Sequence, residues 1–141
     1  MLVRLMYASR AVAGADSAEL GAILKHSKHH NAEHGITGVL CFAQGQFVQV
    51  LEGGRPAVNA LYQRILADPR HEGVQLLGYE EIDERRYAGW AMGQVNLARL
   101  NPALLLKYGE QPVLDPFALS ARAATALFDD LMATASIVGQ S

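Results

Sequence analysis

The chain has 141 residues, one cysteine and a formal net charge of −2; half of its residues are hydrophobic and 18% are charged. That is the size of one domain with a real core, and the composition is that of a globular chain rather than a disordered or membrane-spanning one. The lone Cys41 leaves no internal disulfide and fits a reducing cytoplasm, no apolar run approaches the roughly 18 residues of a membrane span, and the slightly acidic balance argues against nucleic acid as the main partner.

Residues 2–9 alternate as a first strand, with Val3, Leu5 and Tyr7 on one face. Asp16-Ser17-Ala18-Glu19 has the form of a capping box, and Leu20, Ile23, Leu24 and Ser27 follow at helical spacing. Gly35 is positioned to end this first helix near His34. Residues 36–42 and 46–52 read as two strands joined by the short turn Ala43-Gln44-Gly45-Gln46, hence as an antiparallel hairpin.

Pro56 suits the start of a second helix, whose buried stripe is Val58, Leu61, Ile65 and Leu66 and whose end is set by Pro69. Residues 74–82 and 90–97 read as two further strands around the charged bend Asp83-Glu84-Arg85-Arg86. The order βαββαββ predicts an α+β, ferredoxin-like sheet with both helices on one face. Residues 102–108 read as a short helix and 109–115 as a loop. A longer, largely apolar helix is expected from Asp115 and requires cover, from the bare sheet face or from a second subunit. The division is therefore a 1–97 domain and a 98–141 helical extension within the same globular unit, the extension serving as output or oligomer surface.

One residue breaks the pattern. Gln49 shares the core-facing side of its strand with Phe47 and Leu51, where an unpaired amide group costs roughly 1–3 kcal/mol. Tyr7 also points inward and is a candidate partner, so a buried Tyr–Gln pair beneath two helices points to a small, flat, polar ligand. His26, His30 and His34 lie along one helix side, but three near-collinear imidazoles do not close a tetrahedral site, and no metal site is expected. Cys41 reads as a buried small hydrophobe and Gly53-Gly54 as a turn.

Five segments together resemble the BLUF family, the flavin-binding blue-light sensors. They are Arg4-Leu5-Met6-Tyr7-Ala8-Ser9, Asn31 with Gly35-Ile36-Thr37-Gly38, Phe47 through Gly53, Arg64-Ile65 with Asp68 and Arg70-His71, and Trp90-Ala91-Met92. The resemblance implies an oxidised flavin, FAD with FMN or riboflavin as alternatives, between the two helices with its ring over the sheet. It implies that Tyr7 donates to Gln49 and that Gln49 contacts the ring near N5 and the C4 carbonyl. Asn31 and Arg64 would bind the polar edge, Ile23 and Ile65 would sandwich the ring, Asp68 would sit near Arg64, and His30 would touch the rim or the ribityl chain. Met92 would lie beside Gln49, with Trp90 either near the flavin or turned outward.

The photochemistry implied is electron and proton transfer from Tyr7, after which the Gln49 amide returns rotated or in its imidic tautomer and absorption shifts to the red. No substrate is transformed, so the protein is expected to be a sensor and not an enzyme. A short, stand-alone photosensor of this kind would signal through association, as a homodimer or higher oligomer or with a separate downstream protein. The rival reading is a ferredoxin-like ligand-binding or protein-interaction module in which Tyr7 and Gln49 are structural.

Overall fold

The computed structural model describes residues 1–12, 17–96, 101–134 and 136–138. Its elements are β1 (Leu2–Ala11), α1 (Ser17–His34), β2 (Thr37–Ala43), β3 (Gln46–Gly54), α2 (Arg55–Ala67), β4 (His71–Ile82), β5 (Gly93–Asn96), α3 (Pro102–Tyr108), α4 (Ala121–Thr134) and β6 (Ser136–Val138). They form one six-stranded sheet in the order β4-β1-β3-β2-β5-β6. The expected α+β arrangement holds. Asp16 of the expected capping box, the side chains of Glu19, Leu20, Ile23 and Leu24, and the 97/98 division all lie outside the described residues.

The sequence fixes the middle of this sheet through alternation and turn chemistry. β1 and β2 both pair antiparallel with β3, and the register sets Tyr7 directly opposite Gln49 and Leu40 on the other side of Gln49. Between β2 and β3, Gln44 (φ 53°) and Gly45 (φ 73°) both take positive φ. That is the two-residue hairpin geometry whose twist matches that of the strands. Gly38 is required by proximity: a Cβ there would lie 2.1 Å from the carbonyl oxygen of Val50.

Because β1, β2 and β3 are covered on both sides, alternate residues serve two separate cores. Val3, Leu5, Leu40, Phe47, Leu51 and Met92 gather with Val58, Leu61 and Ile65 beneath α2. Met6, Val39, Cys41, Val48 and Val50 gather with Leu105, Leu127, Phe128 and Leu131 beneath α3 and α4. The bare sheet face is thus covered by the chain's own C-terminal helices. Each large side chain buried there contributes roughly 1.5–3 kcal/mol.

Several elements differ from expectation, and β4 begins already at His71 rather than at residue 74. The last strand of the 1–97 region begins at Gly93, not at residue 90, because the Trp90 carbonyl accepts from Gly38 N–H (2.9 Å) ahead of the regular ladder with β2. The helix expected from Asp115 is broken into a 3-10 turn, Pro116–Ala118, and α4. Leu119 is extended, and Ser120 opens a new helix by accepting from the Ala123 amide through its hydroxyl (3.1 Å). β6, not foreseen, pairs antiparallel with β5.

Candidate functional site

The two helices and the sheet do not close completely on each other. Between them lies a cavity of about 420 Å³, within the range of small-molecule and cofactor sites. Its floor is the sheet, through Tyr7, Leu40, Phe47 and Gln49; its walls are α1, through His26, Ser27, His30 and Asn31, and α2, through Leu61, Arg64 and Ile65. The segment Asp68–His71, where α2 passes into β4, closes one end. Of the ten residues expected at the site, Tyr7, His30, Asn31, Gln49, Arg64, Ile65 and Asp68 line this one cavity. The side chain of Ile23 lies outside the described residues.

Tyr7 and Gln49 are both buried, and the phenol donates to the Gln49 Oε1. Gln49 Nε2 donates to the thioether sulfur of the fully buried Met92 at 3.2 Å. A thioether offers no proton, and the phenol O–H needs an acceptor, so partner chemistry fixes which end of the amide faces which neighbour. Burial raises the Tyr7 pKa, and the nearby charge of Asp68 and then the Tyr62 phenol add to the effect, so Tyr7 is a neutral O–H donor at physiological pH.

Asn31 is buried at the end of α1 and donates through Nδ2 to the Ala91 carbonyl (3.1 Å). Its Oδ1 is buried with no hydrogen-bond partner. Such an orphaned acceptor carries a desolvation penalty of roughly 1–3 kcal/mol. A donor arriving with a ligand would remove it. The imide N–H at the polar edge of an isoalloxazine is a donor of the right kind, and the cavity pairs that orphaned acceptor with apolar lining from Leu40, Phe47, Leu61 and Ile65, so these residues fit a flavin.

Arg64 is exposed and reaches across the helix gap to His30, Nη1 to Nδ1 at 2.9 Å. The guanidinium can only donate, so His30 accepts there as a neutral ring. Partial burial, then Arg64, His34 and His26, lower the His30 pKa. Asp68 was expected near Arg64 but pairs with Arg70, whose Nε lies 2.9 Å from Oδ1. This pairing follows from the turn: the Arg70 amide also donates to Asp68 Oδ1 at 2.9 Å. The Arg70 hydrogen bond holds the Asp68 carboxyl below its usual range.

Trp90 packs against the α4 side of the sheet, stacked on Tyr87 with ring centroids 5.8 Å apart, while Met92 lies on the cavity side. His71 received no role in the sequence reading. It joins three elements, with Nε2 donating to the Ile65 carbonyl (2.7 Å) and Nδ1 paired with the Ser9 hydroxyl (2.8 Å). The signal was present in the alternation of β1, which puts Ser9 on the same inward face as Tyr7. No group of three or more His, Cys, Asp or Glu among the described residues is arranged to hold a metal ion, and no helix among them is long and apolar enough to cross a membrane.

The chain is similar to known proteins over most of its length. The profile of the family described as BLUF, sensors of blue-light using FAD, matches residues 2–93. The photoactivated adenylate cyclase subunit beta of Euglena gracilis is 41% identical over 86 residues, which are 61% of this chain and 10% of that protein. The chain thus spans about a tenth of the length of the curated relatives it matches. Among solved structures, the photo-activated state of BlsA superposes with a TM-score of 0.85 at 31% identity, covering 94% of this chain and 95% of that one. The dark state of BlrB, a BLUF protein, superposes with a TM-score of 0.73 at 32% identity over the same shares.

Proposed function

The chain belongs to the BLUF family of blue-light sensors using FAD, and from that premise we propose that it is a photoreceptor in which Tyr7 and Gln49 convert light into a changed hydrogen-bond network. FAD is the flavin assigned, and Asn31, Gln49, Ile65, His30 and Arg64 are the described residues that would hold it. When bound, it supplies the absorption of blue light and an excited state able to take an electron.

The observation that carries this reading is the buried chain Tyr7 O–H to Gln49 to Met92, whose first two members line the floor of a ligand-sized cavity. A phenol that loses an electron becomes strongly acidic, and the Gln49 Oε1 is the base its proton faces. Once an electron and a proton have returned to Tyr7, the amide rests either rotated or as the imidic tautomer, and the two differ at Met92. Rotation turns Oε1 toward a sulfur with no proton to give, which breaks the Gln49–Met92 bond; the tautomer without rotation keeps a nitrogen there. Met92 is followed directly by β5, so either change is delivered to the strand between β2 and the edge strand β6.

The chain itself transforms no substrate in this reading. Output is a change in association, with a second copy or with a separate signalling protein, and α3 and α4 are the surface that carries it. The test is the visible spectrum of the FAD-loaded protein before and immediately after blue illumination. A reversible red shift is expected. A protein that takes up no flavin, or whose flavin spectrum stays fixed under light, overturns the proposal in favour of a ligand-binding module without photochemistry.

A further inference from the structure

Three residues beyond Gln49, the same strand buries a carboxylate on the opposite face of the sheet. Glu52 is completely inaccessible to solvent. Its Oε2 accepts from Arg4 Nε at 2.8 Å and from the Arg86 backbone amide at 3.1 Å, and its Oε1 accepts from the Tyr87 backbone amide at 2.7 Å. A buried charge is tolerated only when it is paired in this way. None of these partners belongs to the flavin cavity. What the carboxylate does is pin the start of segment 86–92.

The other end of that segment is pinned by the cavity. Asn31 holds the Ala91 carbonyl and Gln49 holds the Met92 sulfur. Between the two ends, the segment is tied to itself by Trp90 N–H donating to the Tyr87 carbonyl (3.1 Å), and to β2 by Gly38. Its outward side touches α4. Tyr87 meets Phe128 edge-on with centroids 6.4 Å apart, and the Arg86 guanidinium bonds both carboxylate oxygens of Asp129 at 2.8 and 3.0 Å.

We propose that Glu52 is a positioning residue for signal output: it anchors segment 86–92, so that a change at the Gln49 and Asn31 end is delivered to α4 through Tyr87 and the Arg86–Asp129 pair. The proposal rests on the photoreceptor reading. Without the anchor, the same change would be absorbed by slack in the segment. Glu52→Gln keeps the size of the side chain but replaces one acceptor oxygen with an NH₂, which meets N–H donors and cannot accept from them. The anchor is loosened while Gln49, Tyr7 and Met92 are left in place.

The experiment uses the full FAD-loaded chain and reads two quantities in dark and light, the spectral shift and the amide hydrogen exchange of α4. Glu52→Gln is expected to keep flavin and a red shift of wild-type size, while the light-minus-dark change in α4 exchange falls by about fivefold or more, the lower end of ordinary coupling between sites. Arg86→Asp and Asp129→Arg, each alone, should reduce the α4 response, and together should restore it; this cycle carries the test should Glu52→Gln fail to fold. An α4 response of wild-type size in Glu52→Gln, or in both single charge reversals, overturns the proposal. So does a wild-type protein that shifts its spectrum with no α4 response, or a Glu52→Gln protein that keeps flavin and loses the shift. A wild-type chain with no spectral shift at all instead removes the photoreceptor reading beneath it.

Discussion

The two faces of the sheet are built from the same strands to opposite ends. On β3, Phe47, Gln49 and Leu51 look toward α1 and α2, while Val48, Val50 and Glu52 look toward α3 and α4. The first face leaves a cavity of about 420 Å³ and keeps a buried acceptor unsatisfied. The second is filled, with Ala124, Leu127, Phe128 and Leu131 closing over Val39, Cys41 and Val48. Glu52, a buried carboxylate on that face, is bonded at both oxygens. Each face keeps an orphaned buried acceptor among the described residues, Asn31 Oδ1 and Gln46 Oε1, but of the two Asn31 alone lines the cavity, where a ligand's donor can reach it. One strand thus lines the cavity on one side and, in our proposal, links to α4 on the other.

Substitutions that strike one face and spare the other sharpen this contrast. The largest effect is expected at Gln49: Gln49→Leu should retain flavin and lose the light-induced red shift completely, and Tyr7→Phe should do the same by removing the hydroxyl. A difference spectrum decides it, and a shift surviving in Gln49→Leu would reduce that amide to a structural role. On the filled face the expected effect is on stability. Phe128→Ala removes a buried aromatic from the α4 core and should cost about 3–5 kcal/mol. Chemical denaturation measures that loss, and the folded fraction should still show the full spectral shift; a missing shift would mean that the faces are not separable.

The smallest effect lies in alkaline stability. Burial alone pushes the Cys41 thiol up to about 12 from its usual 9.0, so the folded state favours the protonated form. Its contribution to stability is whole below about pH 9 and is lost as the pH rises toward about 12. Cys41→Ala should shallow the fall of the urea midpoint between pH 8 and 11, leaving the portion due to the buried Tyr7 and Tyr87, whose phenol pKa values burial also raises. An unchanged slope would show the thiol to be accessible when folded.

Much of the sensing face was legible in the chain. Alternation located β1 and β3, the Gln44-Gly45 turn made β2 the hairpin partner of β3, and an amide among Phe47 and Leu51 marked the ligand side. The pairing of Asp68 was not legible, because the choice between Arg64 and Arg70 depends on the path of the chain after α2. Nor was the depth of Glu52, since a charge at the end of an apolar strand reads equally well as an exposed terminus. Ser120 gave too weak a signal against an apolar run from Phe117 to Met132, so the break before α4 went unread.

What the sequence determined by itself is the period of each element and the face on which each side chain sits, because backbone geometry makes these local. Only the tertiary structure decided which of those faces meet: that Trp90 joins the α4 side while Met92 joins the cavity, that the C-terminal helices cover the sheet, and that segment 86–92 spans from Glu52 to Gln49. Such meetings join residues far apart in the chain. Their free energy comes from packing and desolvation that no local window contains.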